Sequence, residues 1–148
     1  NELFRILQIL YKTKIKTPLF PAEFFQKLSL IENSVVFVVK LNERIIGGSV
    51  FVMLPKVAIY EWFVCGEDKM HKGVYPSILA TWAGIEFASK NEIPLFDFMG
   101  AGKPDVEYGV RDFKAEFGGK LVEHGRFLSV QSKIRYALGV IYVKLMKQ

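Results

Sequence analysis

Hydrophobic residues recur along this chain with a helical period in some segments and with the character of strands in others. Leu3, Ile6 and Leu7 show the spacing of an amphipathic helix, whereas the later run VVFVVKL is β-branched and apolar, as strands are. Short turns separate that run from the next two apolar runs. The pattern predicts helices over 2–12, 21–30, 76–91, 107–117 and 132–147, and strands over 35–41, 45–54, 57–64, 93–99 and 120–131.

The predicted order of elements is ααβββαβαβα. Three consecutive strands joined by short turns form an antiparallel meander. A strand that follows a helix is not bound to this meander order and can make the sheet mixed. We therefore expect an α/β (α+β) fold with a mixed, mainly antiparallel sheet flanked by helices. The 148 residues contain no repeat, low-complexity tract or Gly/Ser linker, and they suffice to bury a core, so residues 1–148 are expected to form a single domain.

Composition and charge exclude several classes of protein. The chain is 51% hydrophobic, which is too apolar for a disordered protein, and its net charge of +5 is too small for a dedicated nucleic-acid binder. The clustered lysines 12, 14 and 16 serve either solubility or a surface for RNA, phosphate or anionic lipid. The single cysteine, Cys65, excludes an internal disulfide and is expected to be a buried small residue in a reducing compartment.

The stretch GAGKPDVEYGVRDFKAEFGG (100–119) holds the candidate chemistry. On a helical wheel Val110, Phe113 and Phe117 form a stripe that we expect to be buried. Lys114 lies at the edge of this stripe, where its ammonium is expected to be free for a phosphate or for the oxyanion of an acyl-transfer intermediate. The alternative is that Arg111 and Lys114 are ordinary flanking charges.

Other polar residues are candidates on their own. Glu61 is either a general base or an acid on an exposed strand edge, and Asp97, on a short apolar strand, needs a partner if buried, for which Arg111 or Lys114 is suitable. Lys103 lies in a glycine-flanked loop, GAGKPD, which is either a phosphate-binding loop, although it lacks the P-loop pattern, or a mobile loop near the acceptor. The two histidines, 71 and 124, are too few and too scattered for a metal site, so we expect surface or structural roles and no metal.

The element order resembles the GNAT acyltransferase fold, and the segment YGVRDFKAEFGGKLVEHGRFL resembles the Fem-type peptidoglycan aminoacyltransferases. This resemblance implies transfer of an amino acid from aminoacyl-tRNA to an amine of a cell-wall precursor, with these two molecules as partners. It also implies that the chain is one half of a two-domain protein. The candidate catalytic residues are then Lys114 and Phe113. The candidate substrate-binding residues are Arg111, Tyr108, Lys103, Glu61 and Asp97.

One departure from the GNAT pattern bears on the acyl donor. GNAT enzymes hold the acetyl-CoA pyrophosphate on a glycine-rich loop that enters the central helix, but here that loop reads HKGVYPS, with only Gly73 and with Pro76, which has no N–H. We therefore expect no bound cofactor, the acyl donor being a co-substrate. The alternatives are an acyl-CoA-dependent N-acyltransferase of a cell-envelope sugar or lipid and a non-catalytic GNAT-like binding module.

The predicted helix over 132–147 is apolar on two sides. A helix that is hydrophobic all round is normally buried, so we expect a companion GNAT-like domain or a homodimer partner to cover it. Its basic residues also leave peripheral contact with an anionic membrane open. The expected location is the cytoplasm, and the inner face of the membrane is left open as an alternative within it.

Overall fold

The computed structural model describes residues 2–103, 105–125 and 127–146. Most elements form close to their predicted positions, because their apolar periodicity is strong. The helices are α1 (Glu2–Leu10), α2 (Ala22–Leu28), α3 (Pro76–Lys90), α4 (Gly109–Ala115) and α5 (Lys133–Met146), with a π-helical turn at Tyr11–Ile15 after α1. The strands are β1 (Ser34–Leu41), β2 (Arg44–Leu54), β3 (Ala58–Gly66) and β4 (Leu95–Asp97).

The four strands form one sheet in the order β1-β2-β3-β4. The first three are antiparallel, and β4 pairs with β3 in parallel. This arrangement confirms the predicted fold class, a mixed and mainly antiparallel sheet flanked by helices. The predicted meander forms because the turns at Asn42-Glu43 and Pro55-Lys56 join strands that are adjacent in sequence.

The chain divides into two compact units. One comprises Asn1–Lys14 and Leu19–Met99 and contains the whole sheet with α1, α2 and α3; the other comprises Ile15–Pro18 and Gly100–Gln148 and contains α4 and α5. The organisation of 1–148 as a single domain stays a prediction.

The first unit has a hydrophobic cluster on each face of its sheet. On one face Leu3 and Leu7 of α1 and Leu28 of α2 pack with Val50 and Phe63. On the other face, which α3 covers, the buried cluster consists of Phe51, Ile59 and Ala88, with partly buried aromatic rings around it. Because both faces of the middle of β2 and β3 are covered, a polar side chain there, such as the buried Ser49, lies in an apolar environment.

Helix α3 packs on the sheet through small residues. Its buried positions are Pro76, Ala80, Thr81, Gly84 and Ala88. The large apolar residues Ile78 and Trp82 of this helix are exposed. The small face therefore allows the helix backbone to approach the strands closely.

Gly84→Ala is expected to destabilise the protein by about 1–3 kcal/mol, because the added Cβ overpacks a filled core. It would lie 2.7 Å from Cε1 and 2.8 Å from Cε2 of the fully buried Phe51 ring. Urea denaturation measures the change. Gly139→Ala in α5 is the matched control: nothing lies within 4 Å of its Cβ position, so alanine should be neutral or stabilising by about 0.5–1 kcal/mol. Equal effects at both positions would contradict the close packing.

The predicted strand over 120–131 is wrong. None of the described residues in 120–125 and 127–131 forms a strand, and Leu121, Val122 and Leu128 are exposed. Gly125 has a φ of 71°, a left-handed conformation that interrupts an extended backbone in the middle of the segment. The apolar alternation on which the prediction depended cannot reveal this interruption.

Candidate active site

Strands β3 and β4 part after a short pairing. Only Ala58–Tyr60 of β3 pairs with Leu95–Asp97, whereas β3 continues to Gly66, so in the described residues this edge of β3 has no strand partner from Glu61 onward. The register between β2 and β3 also shifts here, between Val50 and Phe51, which leaves Trp62 as an extra residue. Bulges of this kind often lie beside active sites, and an open edge offers backbone groups to a ligand.

The N-terminus of α3 binds a carboxylate of its own chain. Asp68 Oδ1 accepts a hydrogen bond of 2.9 Å from the Ser77 backbone N–H, and Oδ2 accepts one of 2.8 Å from the Ser77 hydroxyl. A Cβ at Gly66 would lie 2.6 Å from the same backbone nitrogen, so strand and helix touch at this point. Asp68 therefore occupies the position at which a helix N-terminus binds an anion.

Glu61 is buried, not exposed at a strand edge. Only 4% of its surface is accessible, and Oε1 accepts a 2.7 Å hydrogen bond from the hydroxyl of Thr81, which is fully buried on α3. Ser49 of β2 donates a hydrogen bond of 2.9 Å to the Ala80 carbonyl beside it. These residues form a polar layer between the sheet and α3. Sequence reasoning missed Thr81, since nothing in a helical pattern marks it as the partner of a distant carboxylate.

A second buried carboxylate, Glu67, was also missed. Arg44 Nη2 lies 3.0 Å from each of its two oxygens, and Arg5 Nη2 lies 3.5 Å from Oε1. His71 Nε2 lies 3.3 Å from Oε2, which agrees with the predicted structural role of His71. The Glu67 side chain is only 7% exposed, so this cluster fixes the segment that follows β3 against α1 and β2.

Asp97 lies opposite Tyr60 in the register of β3 and β4 and is half-buried. Its Oδ1 accepts a hydrogen bond of 2.6 Å from the Met99 backbone N–H. The hypothesis that Asp97 orients Arg111 or Lys114 stays a prediction.

In the second unit, the cations of α4 bind the preceding loop. Lys114 Nζ donates a 2.7 Å hydrogen bond to the Gly100 carbonyl, so the expectation of a free ammonium is wrong. Arg111 donates to the Ala101 carbonyl at 3.1 Å and to the carbonyl of Lys103. Backbone carbonyls of the loop, those of Gly100, Ala101 and Lys103, thus bind the two cations of α4.

The aromatic stripe of α4 is less buried than predicted. No residue of α4 is fully buried, and Val110 is 41% exposed. Phe113 and Phe117 pack against each other with ring centroids 5.3 Å apart. This pair gives one side of the helix an apolar surface beside Lys114.

An open pocket of about 850 Å³ lies at the start of α4. It brings together the predicted binding residues Tyr108 and Arg111 with three carboxylates. Its lining consists of Asp105, Val106, Glu107, Tyr108, Gly109, Arg111 and Asp112. Because carboxylates outnumber the single guanidinium, this pocket suits a cationic ligand.

Cys65 is buried, as predicted, and burial raises the pKa of its thiol to about 12. The thiolate is the nucleophilic form, so this residue is unsuited to covalent catalysis at neutral pH. Within the described residues, no group of three or more His, Cys, Asp and Glu side chains is arranged to hold a metal ion. None of the helices in that part of the chain is long and apolar enough to cross a membrane.

Comparisons with known proteins agree on the fold. The model of the FemAB family matches residues 31–143. A search of curated protein sequences found no match. Among solved structures, an aminoglycoside acetyltransferase from an uncultured soil metagenomic sample, crystallised with sisomicin, is 20% identical, with a TM-score of 0.64 over 89% of this chain and 87% of the other.

A ribosomal-protein-alanine N-acetyltransferase from Brucella melitensis biovar Abortus 2308 is 14% identical, with a TM-score of 0.64 over 88% of this chain and 91% of the other. An acetyltransferase from Trypanosoma brucei is 15% identical, with a TM-score of 0.55 over 86% of this chain and 92% of the other. Identities this low show a shared GNAT fold and leave the substrates open.

Proposed function

The chain belongs to the FemAB family and is an acyltransferase, and from this premise we propose that it transfers an amino acid from aminoacyl-tRNA to an amine of a peptidoglycan precursor. Both substrates follow from the resemblance in the segment that contains Phe113 and Lys114. The proposed substrates place the reaction in the cytoplasm.

The observation that carries the choice of donor is the hydrogen-bonded pair of Asp68 and Ser77. A diphosphate at the N-terminus of α3 would have to displace a carboxylate that accepts two hydrogen bonds. It would gain no N–H from Pro76, the first residue of the helix. An acyl donor that does not depend on this helix end, such as an aminoacyl ester of tRNA, fits the site better than acyl-CoA.

The pocket at the start of α4 supports an amine acceptor. An amine is protonated before it reacts, and Asp105, Glu107 and Asp112 attract an ammonium ion into the pocket. Tyr108 and Arg111 supply hydrogen-bonding groups for the rest of the precursor.

In the proposed reaction the bound ammonium first loses a proton to water, and the neutral amine then attacks the ester carbonyl directly. The carbonyl oxygen becomes an oxyanion, the ester C–O bond then breaks, and the ribose hydroxyl leaves with the proton that the attacking nitrogen gives up. Lys114 stabilises the oxyanion, and Phe113 shields it from water. No metal and no covalent enzyme intermediate are required.

An acyl-CoA-dependent N-acyltransferase is the second candidate, because the open edge of β3 from Glu61 to Gly66 leaves backbone groups to which an extended acyl donor can hydrogen-bond.

The donor assay separates the two candidates. With one amine acceptor, the full-length protein is expected to transfer the amino acid from aminoacyl-tRNA and to give no product with acetyl-CoA. Asp68→Ala frees the Ser77 donors and is expected to bind acetyl-CoA more tightly than the wild type does, measured by calorimetry. The control is Glu23→Ala, which removes an exposed carboxylate of α2. If acetyl-CoA gives product and aminoacyl-tRNA does not, the acyl-CoA-dependent N-acyltransferase becomes the better-supported function.

Helix α5 supports a protein partner. Ile134, Leu138 and Leu145 are exposed on one side, and Tyr136 is exposed on another. A helix that lies on a membrane has one apolar and one polar face, whereas α5 is apolar on two sides. We therefore favour a companion GNAT-like domain or a second copy of the chain over peripheral membrane contact.

A further inference from the structure

We propose that β1 is an interface between two copies of the chain, at which β1 pairs antiparallel with β1 of a second copy and joins the two sheets into one. The interface belongs to the first compact unit and involves neither the pocket at the start of α4 nor helix α5. It is therefore independent of the proposed acyl transfer.

The outer edge of β1 offers a row of backbone groups. β1 lies at one end of the sheet order β1-β2-β3-β4, so within the described residues no strand pairs with its outer edge. It is eight residues long, whereas β4, at the other end of this order, has three. Unpaired N–H and C=O groups along a strand of this length are a template for another extended backbone.

The sequence of β1 also lacks the features that normally protect an edge strand. SVVFVVKL contains no proline, and its single charged residue, Lys40, is near its end. The register between β1 and β2 shifts after Val39, but Ile46 of β2 is the extra residue, so β1 itself carries no bulge. Proline, inward-facing charges and bulges are the usual means by which an edge avoids pairing. The segment Ser34–Val39 is therefore well suited to pair with another strand.

One face of β1 is apolar and exposed. Helix α3 packs on the other face, where the Phe37 and Phe87 rings lie with centroids 5.8 Å apart. On the exposed face α1 packs on β2 and β3, and Val36 and Val38 of β1 remain 41% and 44% exposed. A strand added to β1 would bring its own side chains beside these valines. β-branched side chains pack well on such a surface, and β1 itself supplies them.

Two-fold symmetry restricts the register of the pair. When the axis is perpendicular to the sheet, the α3 sides of both copies lie on the same side, so opposite residues must belong to the same face. A pair centred on Phe37 meets this condition and places Val36 opposite Val38 of the partner subunit in two places. Centring the pair on Val38 would instead place Val36 opposite a lysine. We therefore assign the first register.

The charges at the ends of β1 favour a second copy in this direction. In the assigned register Lys40 lies opposite Ser34 of the partner subunit, and Glu32 is exposed two positions before Ser34. Each end of the pair thus brings a lysine of one copy near an acid of the other. A parallel pair in register would place the two Lys40 side chains together, which is unfavourable. Glu43 competes for Lys40 within its own chain at 3.7 Å, but this ion pair is exposed and contributes little.

Sedimentation equilibrium of the intact protein over a series of concentrations tests the interface. We expect the mass to rise from that of the monomer towards that of the dimer. Val38→Lys should raise the Kd of the dimer at least about tenfold, because it places a charge among the paired valines. Val57→Lys is the matched control: Val57 is 50% exposed in the turn between β2 and β3, and its change should alter Kd less than about twofold. An unchanged thermal midpoint shows that each variant folds.

Reversal of the end charges tests the register. Lys40→Glu and Glu32→Lys should each raise Kd about tenfold, because each brings like charges together at both ends of the pair. The variant that combines both changes restores opposite charges, so its Kd should return to within about threefold of the wild-type value.

A protein that stays monomeric up to about 1 mM would overturn the inference. Equal effects of Val38→Lys and Val57→Lys, or no recovery when the two charge reversals are combined, would also overturn it. A dimer that Leu138→Lys dissociates and Val38→Lys does not would assign self-association to α5. Masses that rise beyond the dimer would indicate a head-to-tail contact, such as one between β1 and the open edge of β3.

Discussion

Lys114→Ala is expected to lower kcat for aminoacyl transfer by about 10²- to 10³-fold, the effect of removing one oxyanion donor. In the structure its ammonium donates a 2.7 Å hydrogen bond to the Gly100 carbonyl oxygen, and an oxyanion is a stronger acceptor than a neutral carbonyl. Because the oxyanion exists only during the reaction, the KM for both substrates should change little. Steady-state kinetics with the full-length protein measure both quantities.

The same contact gives a competing explanation, in which Lys114 only positions the loop that contains Gly100. In that case Lys114→Ala should raise the KM for the acceptor and make the loop more sensitive to proteolysis, with kcat nearly unchanged. Lys114→Arg keeps the charge and should retain part of the activity under either explanation. Lys120→Ala, which removes an exposed lysine beyond α4, is the matched control and should leave kcat unchanged. A wild-type kcat together with a wild-type KM for the acceptor in Lys114→Ala would reject both roles.

The elements that could be predicted from the sequence are those set by local patterns. The β1–β3 meander follows from apolar runs joined by tight turns, and α3 begins at Pro76, where a proline is favoured. The strand predicted over 120–131 depended on a non-local partner that the pattern could not supply, and Gly125 interrupts it.

The polar contacts of the candidate site were harder to predict, because their partners are distant in sequence. Glu61 bonds a residue 20 positions away, and Lys114 bonds a carbonyl 14 positions before it. The alternation of apolar and polar residues is also misleading in β3. Both faces of the middle of this strand are covered, so Glu61, which the alternation places on a solvent-facing side, lies in the core. Arg111 and Lys114 are three positions apart, which is about one helical turn. The local pattern therefore sufficed to predict that both lie on the same helix, and they do.

Thr81→Val is expected to destabilise the protein by about 1–3 kcal/mol, because it leaves a buried acceptor of Glu61 without its donor while keeping the side-chain volume. The pair is well suited to this test, since the exposed fractions of Thr81 and Glu61 are 0% and 4%. Urea denaturation of the wild type, Thr81→Val and Thr81→Ser measures the loss. Serine keeps the hydroxyl and should cost about 1 kcal/mol for the lost methyl group.

A double-mutant cycle with Glu61→Gln shows whether the two side chains interact. In the Glu61→Gln background the loss caused by Thr81→Val should be smaller by about 0.5–1.5 kcal/mol, because a hydroxyl bonds a neutral amide less strongly than a carboxylate. Equal losses in both backgrounds would show that the hydroxyl and carboxylate are not coupled.

Transfer kinetics on the same variants then separate a structural role of Glu61 from a chemical one. If Glu61 acts only through stability, Glu61→Gln and Thr81→Val should both keep wild-type kcat at a temperature where both are folded. A loss of kcat confined to Glu61→Gln would instead identify Glu61 as the general base.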